Sequence, residues 1–244
     1  MQTTKNLEDC WFPLGEFLYD YYHGELAAQI TIKSNIEEDR FIPAGTFFRE
    51  KNRFPRLEKM ALKNCKGCVL DVGAGAGSHA LFLQNKGLEV DALDISSKAV
   101  KVMQARGIKN AFADDIFDFK PAEKYDTVLM MMNGIGLAGD LDGLEKLLHH
   151  LKTLLKPNGQ IIFDTTDIAY VDEKSRARSS ILDYKPAYYG TVYYQLFYKG
   201  QNSEVYPWLY VDKDTLQRIA LACGYWMDIL TTDDDQYLVR LTVS

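Results

Sequence analysis

Cys68-Val69-Leu70-Asp71-Val72-Gly73-Ala74-Gly75-Ala76-Gly77 is the stretch on which the fold turns. Its first half is a short apolar run, the pattern of a strand buried on both faces. Its second half has glycine at every other position. Glycines there let the chain turn sharply, let a ligand approach the main chain and aim the next helix N-terminus at that ligand. Ser78–Lys86 follows as a short helix, with Gly87 where a left-handed residue ends it. Strand, glycine turn and helix together open a βαβ unit.

The unit repeats downstream. Leu88–Leu93 is a second strand, Ser96-Ser97 caps a helix running to Arg106, and Gly107 closes it. Ala111-Phe112-Ala113 is a third strand and Asp126–Met132 a fourth, apolar throughout as a central parallel strand is. Leucines at 141, 144, 147, 148, 151, 154 and 155 form one helical stripe, Pro157-Asn158-Gly159 breaks it, and Gln160–Phe163 is a fifth strand. This alternation predicts an α/β fold with a mostly parallel sheet. Asp212 then caps a helix carrying Leu216, Ile219, Ala220 and Cys223, and strands follow near Trp226–Thr231 and Gln236–Val243. Only a few residues join those two strands, so they pair antiparallel. Residues 65–165 and 212–244 thus form a ligand-binding core. Residues 1–64, helical around Leu14–Tyr22 and Leu57–Leu62, read as an N-terminal cap. Residues 166–211 are an insertion on the substrate side, with a hairpin from Tyr193–Tyr198 to Glu204–Val211 around Gly200-Gln201-Asn202.

Composition narrows the function. At 244 residues the chain can bury roughly 70–75% of its unfolded surface without disulfides or metals. Its 47% apolar and 25% charged content excludes disorder, coiled coil and collagen. A net charge of -6 and a pI of 5.3 lack the basic footprint of a duplex-binding protein, so no nucleic-acid partner is expected. No apolar run is long enough to cross a membrane, and Met1–Asp9 holds no signal-peptide core. Four cysteines make no disulfide scaffold, and Cys65-Lys66-Gly67-Cys68 lacks the second pair a zinc site uses. The expectation is a cytoplasmic protein with structural thiols and no metal.

Polar residues cluster at the strand ends. The turn has G-x-G-x-G spacing where a dinucleotide fingerprint has G-x-G-x-x-G, and Asp71 just before it suits a cation better than a pyrophosphate. Asp94 ends the second strand, where a carboxylate can accept both hydroxyls of a ribose. Asp114 and Asp115 end the third, where an acid can accept from an adenine amino group. Asn133 ends the fourth beside Gly134 and Gly136. Open α/β sheets bind ligands at these carboxyl ends.

With these motifs the chain resembles the class I S-adenosylmethionine-dependent methyltransferases. The resemblance rests on Val69–Gly77, Leu93-Asp94-Ile95-Ser96, Ala113-Asp114-Asp115-Ile116-Phe117, Tyr125–Leu129 and Leu155–Gln160, and covers about residues 65–165 plus the terminal helix and hairpin. It implies a Rossmann-like sheet of seven strands in the order 3-2-1-4-5-7-6 with strand seven antiparallel. It implies S-adenosyl-L-methionine as cofactor and S-adenosyl-L-homocysteine as product. Gly73, Ala74, Gly75 and Gly77 would lie beside the methionine moiety, Asp94 and Ile95 by the ribose, and Asp115 rather than Asp114, with Ile116, by the adenine. Arg49 or Arg53, upstream of the first motif, would meet the cofactor carboxylate. Small-molecule members of the family insert elements before strand one and after strand five, as here, and the N-P-P-Y motif of DNA amino-group methylation is absent at Asn133-Gly134-Ile135-Gly136. The implied reaction is in-line methyl transfer to an oxygen or nitrogen of a small molecule. The rivals are a non-catalytic module that holds the cofactor and an NAD-dependent oxidoreductase, which the glycine spacing and Asp71 disfavour. Oligomeric state stays open.

A hydroxyl acceptor needs a general base. His79, one turn into the first helix, and His23, in the cap, are the candidates. His79 also reads as a helix-face residue packed on the cap, and His23 as an exposed loop residue. His149 and His150 read as solvated. The basic stretch Lys174-Ser175-Arg176-Ala177-Arg178 reads as a solvated loop or a contact for an acidic group. Of 15 tyrosines, eight fall between Tyr184 and Tyr210 and three between Tyr19 and Tyr22. This concentration in the cap and insertion makes Tyr21, Tyr22, Tyr193, Tyr194 and Trp208 candidate acceptor contacts. Alternating tyrosines also suit a half-exposed hairpin.

Overall fold

In the computed structural model, which describes residues 7–171, 178–181 and 184–244, the chain begins with helix α1 (Leu7–Tyr22). Strands β1 (Gln29–Ser34) and β2 (Arg40–Pro43) follow, then helix α2 (Arg56–Asn64). The glycine-turn stretch supplies β3 (Cys68–Val72) and leads into α3 (Ser78–Asn85). Next come β4 (Glu89–Asp94), α4 (Ser97–Ala105), β5 (Asn110–Ala113) and β6 (Tyr125–Met130). After them lie α5 (Leu141–Leu154), β7 (Leu155–Thr166), β8 (Thr191–Tyr198), β9 (Gln201–Asn202) and β10 (Tyr206–Leu209). Helix α6 (Lys213–Ala222) and strands β11 (Tyr225–Asp233) and β12 (Gln236–Val243) complete the chain.

The seven-stranded sheet runs β11-β12-β7-β6-β3-β4-β5. Pairing from β7 through β5 is parallel, and β12 is antiparallel to both neighbours. This is the topology expected from the motifs. Local chemistry sets the helices: Ser96 Oγ accepts from Ala99 N–H and Asp212 from Thr215 N–H, so each helix starts with an orphan donor satisfied. Apolar residues cover both faces of the sheet. Tyr125, Val128 and Phe163 pack under α5 and α6 on one side, while Val69, Leu129 and Ile162 pack under α2, α3 and α4 on the other. Consecutive Ile161, Ile162 and Phe163 are fully buried, as a central strand covered on both faces requires.

A second, antiparallel sheet runs β10-β8-β1-β2, with β9 paired to β8. It corrects the reading of residues 1–64 as a helical cap: besides α1 and α2, that segment holds the β1–β2 hairpin. β1 adds edge to edge onto the insertion, Thr31 opposite Phe197 and Ile32 opposite Leu196. Cap and insertion are thus one sheet. The cause is the period-two pattern of Gln29-Ile30-Thr31-Ile32, which buries Ile30 against α1. Helix α1 in turn packs along α4, where Gly15 lies against Ser96 closely enough that a Cβ would overlap its hydroxyl. The basic residues 174–177 lie outside the described residues, as does the side chain of Cys10.

Candidate active site

The site assembles at the carboxyl ends of β3, β4, β5 and β6. Gly73, Gly75 and Gly77 have φ of 68°, 56° and 76°, backbone that side chains rarely adopt, which is why the turn after β3 is built from glycine. Gly73 and Ala74 N–H both bond Leu93 O, tying the turn to β4. Asp94, 8% exposed, accepts from Gly75 N–H at 2.8 Å with one oxygen and from Ser96 N–H at 2.9 Å with the other. It therefore fixes the glycine turn and the start of α4 at once. Burial raises its carboxyl above the usual range, and the two N–H donors pull it back. Ile95 beside it is half-buried.

At the end of β5, Asp114 is exposed and its Oδ1 accepts from Asp115 N–H, while Asp115 Oδ1 accepts from Phe117 N–H. Ile116 is buried in the core beneath them. After β6 the backbone enters the left-handed region at Met132 and Asn133. Asn133 N–H donates to the Asp164 carboxylate at the end of β7, and Asn133 Nδ2 donates to Leu209 O of β10 at 3.1 Å. Its Oδ1 is buried without a partner. Gln236 of β12 donates to Asp164 at 2.6 Å. Burial pushes the Asp164 carboxyl up to about 6, against the pull of Asn133 and Gln236.

A buried polar cluster lies on the α2/α3 side of these strand ends. Arg49 Nη2 donates to Glu58 Oε1, and Glu58 Oε2 meets His79 Nε2 at 3.0 Å. Glu58 and His79 are 6% and 8% exposed. Burial disfavours charge on His79, but the Glu58 hydrogen bond and the charges of Asp71 and Glu58 outweigh it, so its pKa is raised. Asp71 carries one oxygen on Ala80 N–H, while its Oδ2 is buried without a partner, as is Arg49 Nε. Burial pushes the Asp71 carboxyl up to about 6, with His79 pulling it down.

The roof comes from α1 and the second sheet. Leu18 and Phe47 stand over Gly75. Trp208 packs so closely on Gly136, in the turn after β6, that a Cβ there would overlap the indole. Tyr194 is buried and its hydroxyl meets that of Tyr210 at 2.8 Å. Tyr193, its neighbour along β8, necessarily points to the opposite face, where it packs on Tyr184. Tyr21 packs on Phe48 and lines a cavity of about 340 Å³ with Arg49 and Arg53. The structure does not bring Tyr22 to this group: its hydroxyl donates to Ala105 O at the far end of α4. His23 is exposed, stacked on Tyr19 and bonded through Nδ1 to Tyr19 O. Neither cysteine of the C-x-x-C pair is a thiolate. Burial pushes Cys65 up to about 12, and Cys68 is raised by its bond to Glu89.

A family model described as a methyltransferase domain matches residues 46–225. A SAM-dependent methyltransferase from Bacteroides fragilis, solved in complex with S-adenosyl-L-homocysteine, is 36% identical to this chain. That match covers 97% of this chain and 96% of the other, with a TM-score of 0.86. The chain belongs to the S-adenosylmethionine-dependent methyltransferases. The sugar N-methyltransferase KedS8 from Streptoalloteichus sp ATCC 53650 shares the fold at 14% identity, covering 82% of this chain and 92% of its own, with a TM-score of 0.57. Ribosomal RNA small subunit methyltransferase C of Aliivibrio salmonicida is 28% identical over 142 residues, which are 55% of this chain. The match spans 42% of that curated relative's length.

Two buried charged residues of this candidate site escape a reading of the motifs. Glu58 sits on the apolar stripe of α2 with Leu57, Ala61 and Leu62, and a charged residue on a buried stripe is the signal that finds it. Asp164 is a buried charge inside the apolar strand β7, as Asp71 is in β3, and the same rule applies.

Proposed function

We propose that this methyltransferase transfers the methyl group of S-adenosyl-L-methionine to a small-molecule acceptor. The observation that carries the reading is Asp71, a buried carboxylate with an unpartnered oxygen two residues before the first glycine of the turn. A pyrophosphate there would face like charge, which counts against a nicotinamide dinucleotide, whereas an ammonium would be paired. Arg49 Nε, likewise buried and unpartnered, complements a carboxylate. The two atoms fit the amino-acid end of the cofactor. Asp94, with Ile95, suits the ribose, since each of its oxygens keeps a lone pair beyond its single N–H bond. Asp115 and Ile116 suit the adenine, and Gly73, Ala74, Gly75 and Gly77 admit the methionine chain to the backbone.

Bound there, the cofactor supplies an electrophilic methyl on a sulfonium. The protein's work is then to orient the acceptor and exclude water. The roof suits that work: Trp208, packed on Gly136, and Leu18 of α1, over Gly75, close over the strand ends, with Tyr194 in the same apolar cluster as Trp208, a shape for a small acceptor. An RNA acceptor is the second reading, favoured by the ribosomal RNA methyltransferase relative and opposed by the net charge of -6. His79, committed to Glu58, is better read as part of the cofactor site than as a general base. Free thiols at Cys65, Cys68 and Cys223 suit the reducing cytoplasm.

Titration calorimetry tests the cofactor. S-adenosylmethionine and S-adenosylhomocysteine are expected to bind and NADH not to, with Asp94→Ala weakening S-adenosylhomocysteine by about 1–3 kcal/mol. Binding of NADH alone contradicts the reading. Labelled methyl entering an RNA fraction and not a small-molecule extract favours the second acceptor class.

A further inference from the structure

We propose that Glu58 is a positioning residue for the amino-acid end of the cofactor. It grips Arg49 with one oxygen and His79 with the other, and so leaves Arg49 Nε and Asp71 Oδ2 directed at opposite charges on the bound tail. The inference rests on the cofactor reading above and deepens it.

The argument starts from burial. Glu58 is 6% exposed on α2, a helix otherwise packed on the sheet through Leu57, Ala61 and Leu62. A lone carboxylate in such a place costs several kcal/mol and is tolerated only when paired. Glu58 is paired twice, and its partners come from different elements, the loop after β2 and the first turn of α3. Its role is therefore not to cap its own helix but to hold Arg49 with one oxygen and His79 with the other. Arg49 makes one bond with its fork and keeps Nε unused; a guanidinium anchored through Nη2 has little freedom to turn that Nε elsewhere. On the other arm, Glu58 keeps His79 beside Asp71. Asp71 on β3 acts on His79 and Asp164 on β7 acts on Glu58, while Asp94 on β4 and Cys65 after α2 lie within reach of Asp71. Acids outnumber bases in this buried layer. A ligand that brings both an ammonium and a carboxylate supplies what each orphan atom lacks, and one without them leaves both unpaired.

The consequence is selectivity for the tail, separable from affinity for the nucleoside. Calorimetry with S-adenosylhomocysteine and with 5′-methylthioadenosine, which shares the adenosine but has no amino-acid tail, reads it directly. Glu58→Gln is expected to weaken S-adenosylhomocysteine by about 10–100-fold, the loss of a charge-assisted bond, and to leave methylthioadenosine within about twofold. Arg49→Gln, which leaves α2 intact, is expected to give the same selective loss. Equal losses for both ligands make Glu58 merely structural and overturn the proposal, as does unchanged S-adenosylhomocysteine affinity in either folded variant. Wild-type protein that binds neither ligand overturns the cofactor reading itself, and this inference with it.

Discussion

The two sheets are built from opposite kinds of contact. In the seven-stranded sheet, β3, β4 and β5 are neighbours in sequence and in space, each joined to the next by one short helix. In the antiparallel sheet, β1 pairs with β8, a strand most of the chain away. Local units can form on their own periodicity, whereas a long-range pair forms only once something else has brought its halves together. Here that something is the first sheet: α1 packs along α4, and Trp208 seats on the turn after β6. The parallel sheet carries the fold, and the second sheet is a roof assembled upon it.

The largest expected effect tests this dependence. Phe163→Ala, at the centre of β7, is expected to cost about 3–5 kcal/mol in denaturant unfolding and to release both sheets together. Ile30→Ala, equally buried in β1, is expected to cost about 2–5 kcal/mol but locally. In hydrogen exchange, residues 29–43 and 191–209 lose protection while 68–72 and 125–130 keep it. Loss of protection across both sheets in the Ile30 variant would mean that the roof is part of the foundation.

The same contrast explains what the sequence made legible. Most strands and helices of the parallel sheet announce themselves within a few residues, and Asp71, Asp94, Asp114 and Asp115 are found because spacing from the glycine turn locates them. Asp164 lies beyond that spacing, and β7 (Leu155–Thr166) runs through the Pro157-Asn158-Gly159 stretch that reads as a break. The roof is different. Residues 29–32 alternate as a strand does, but nothing local in them names β8 as partner, so the segment reads as part of a helical cap. Tyr193 and Tyr194 show a nearer limit: tyrosine density alone groups both with the acceptor site, although period two puts them on opposite faces. Glu58 is invisible to an amphipathic reading of α2, which attends to its leucines and not to the charge among them.

The seven-stranded sheet also buries carboxylates at its strand ends, Asp71, Asp94 and Asp164, whereas the roof buries the hydroxyl pair of Tyr194 and Tyr210. Asp71 has a folded pKa of about 6 against an ordinary value of 3.8. A carboxyl raised in the native state is the more readily protonated there, so ionising it removes stability. That loss begins near pH 4 and is complete above about pH 6. Asp71→Asn keeps an oxygen for Ala80 N–H and removes the charge. It is expected to raise unfolding stability at pH 8 by up to about 3 kcal/mol, with the gain gone at pH 4, while S-adenosylhomocysteine affinity falls. A gain independent of pH would show that the charge is not its source. Asp164 sharpens the point. Both of its oxygens accept N–H bonds, so Asn there would set a donor against a donor, and no comparable gain is expected.

In the roof the corresponding expectation is small. The Tyr194 and Tyr210 hydroxyls satisfy each other at 2.8 Å across β8 and the end of β10, and burial pushes both phenols up, so neither ionises near neutrality. Tyr194→Phe removes one neutral hydrogen bond and leaves the Tyr210 hydroxyl seeking a partner, at a cost of about 1 kcal/mol. S-adenosylhomocysteine affinity is expected to stay unchanged, because the ring that helps close the roof is kept. An unchanged melting temperature together with weaker acceptor turnover would reverse the assignment. The pair would then be a site for a hydroxyl or amine of the acceptor, and the roof would have given up a satisfied bond to hold it.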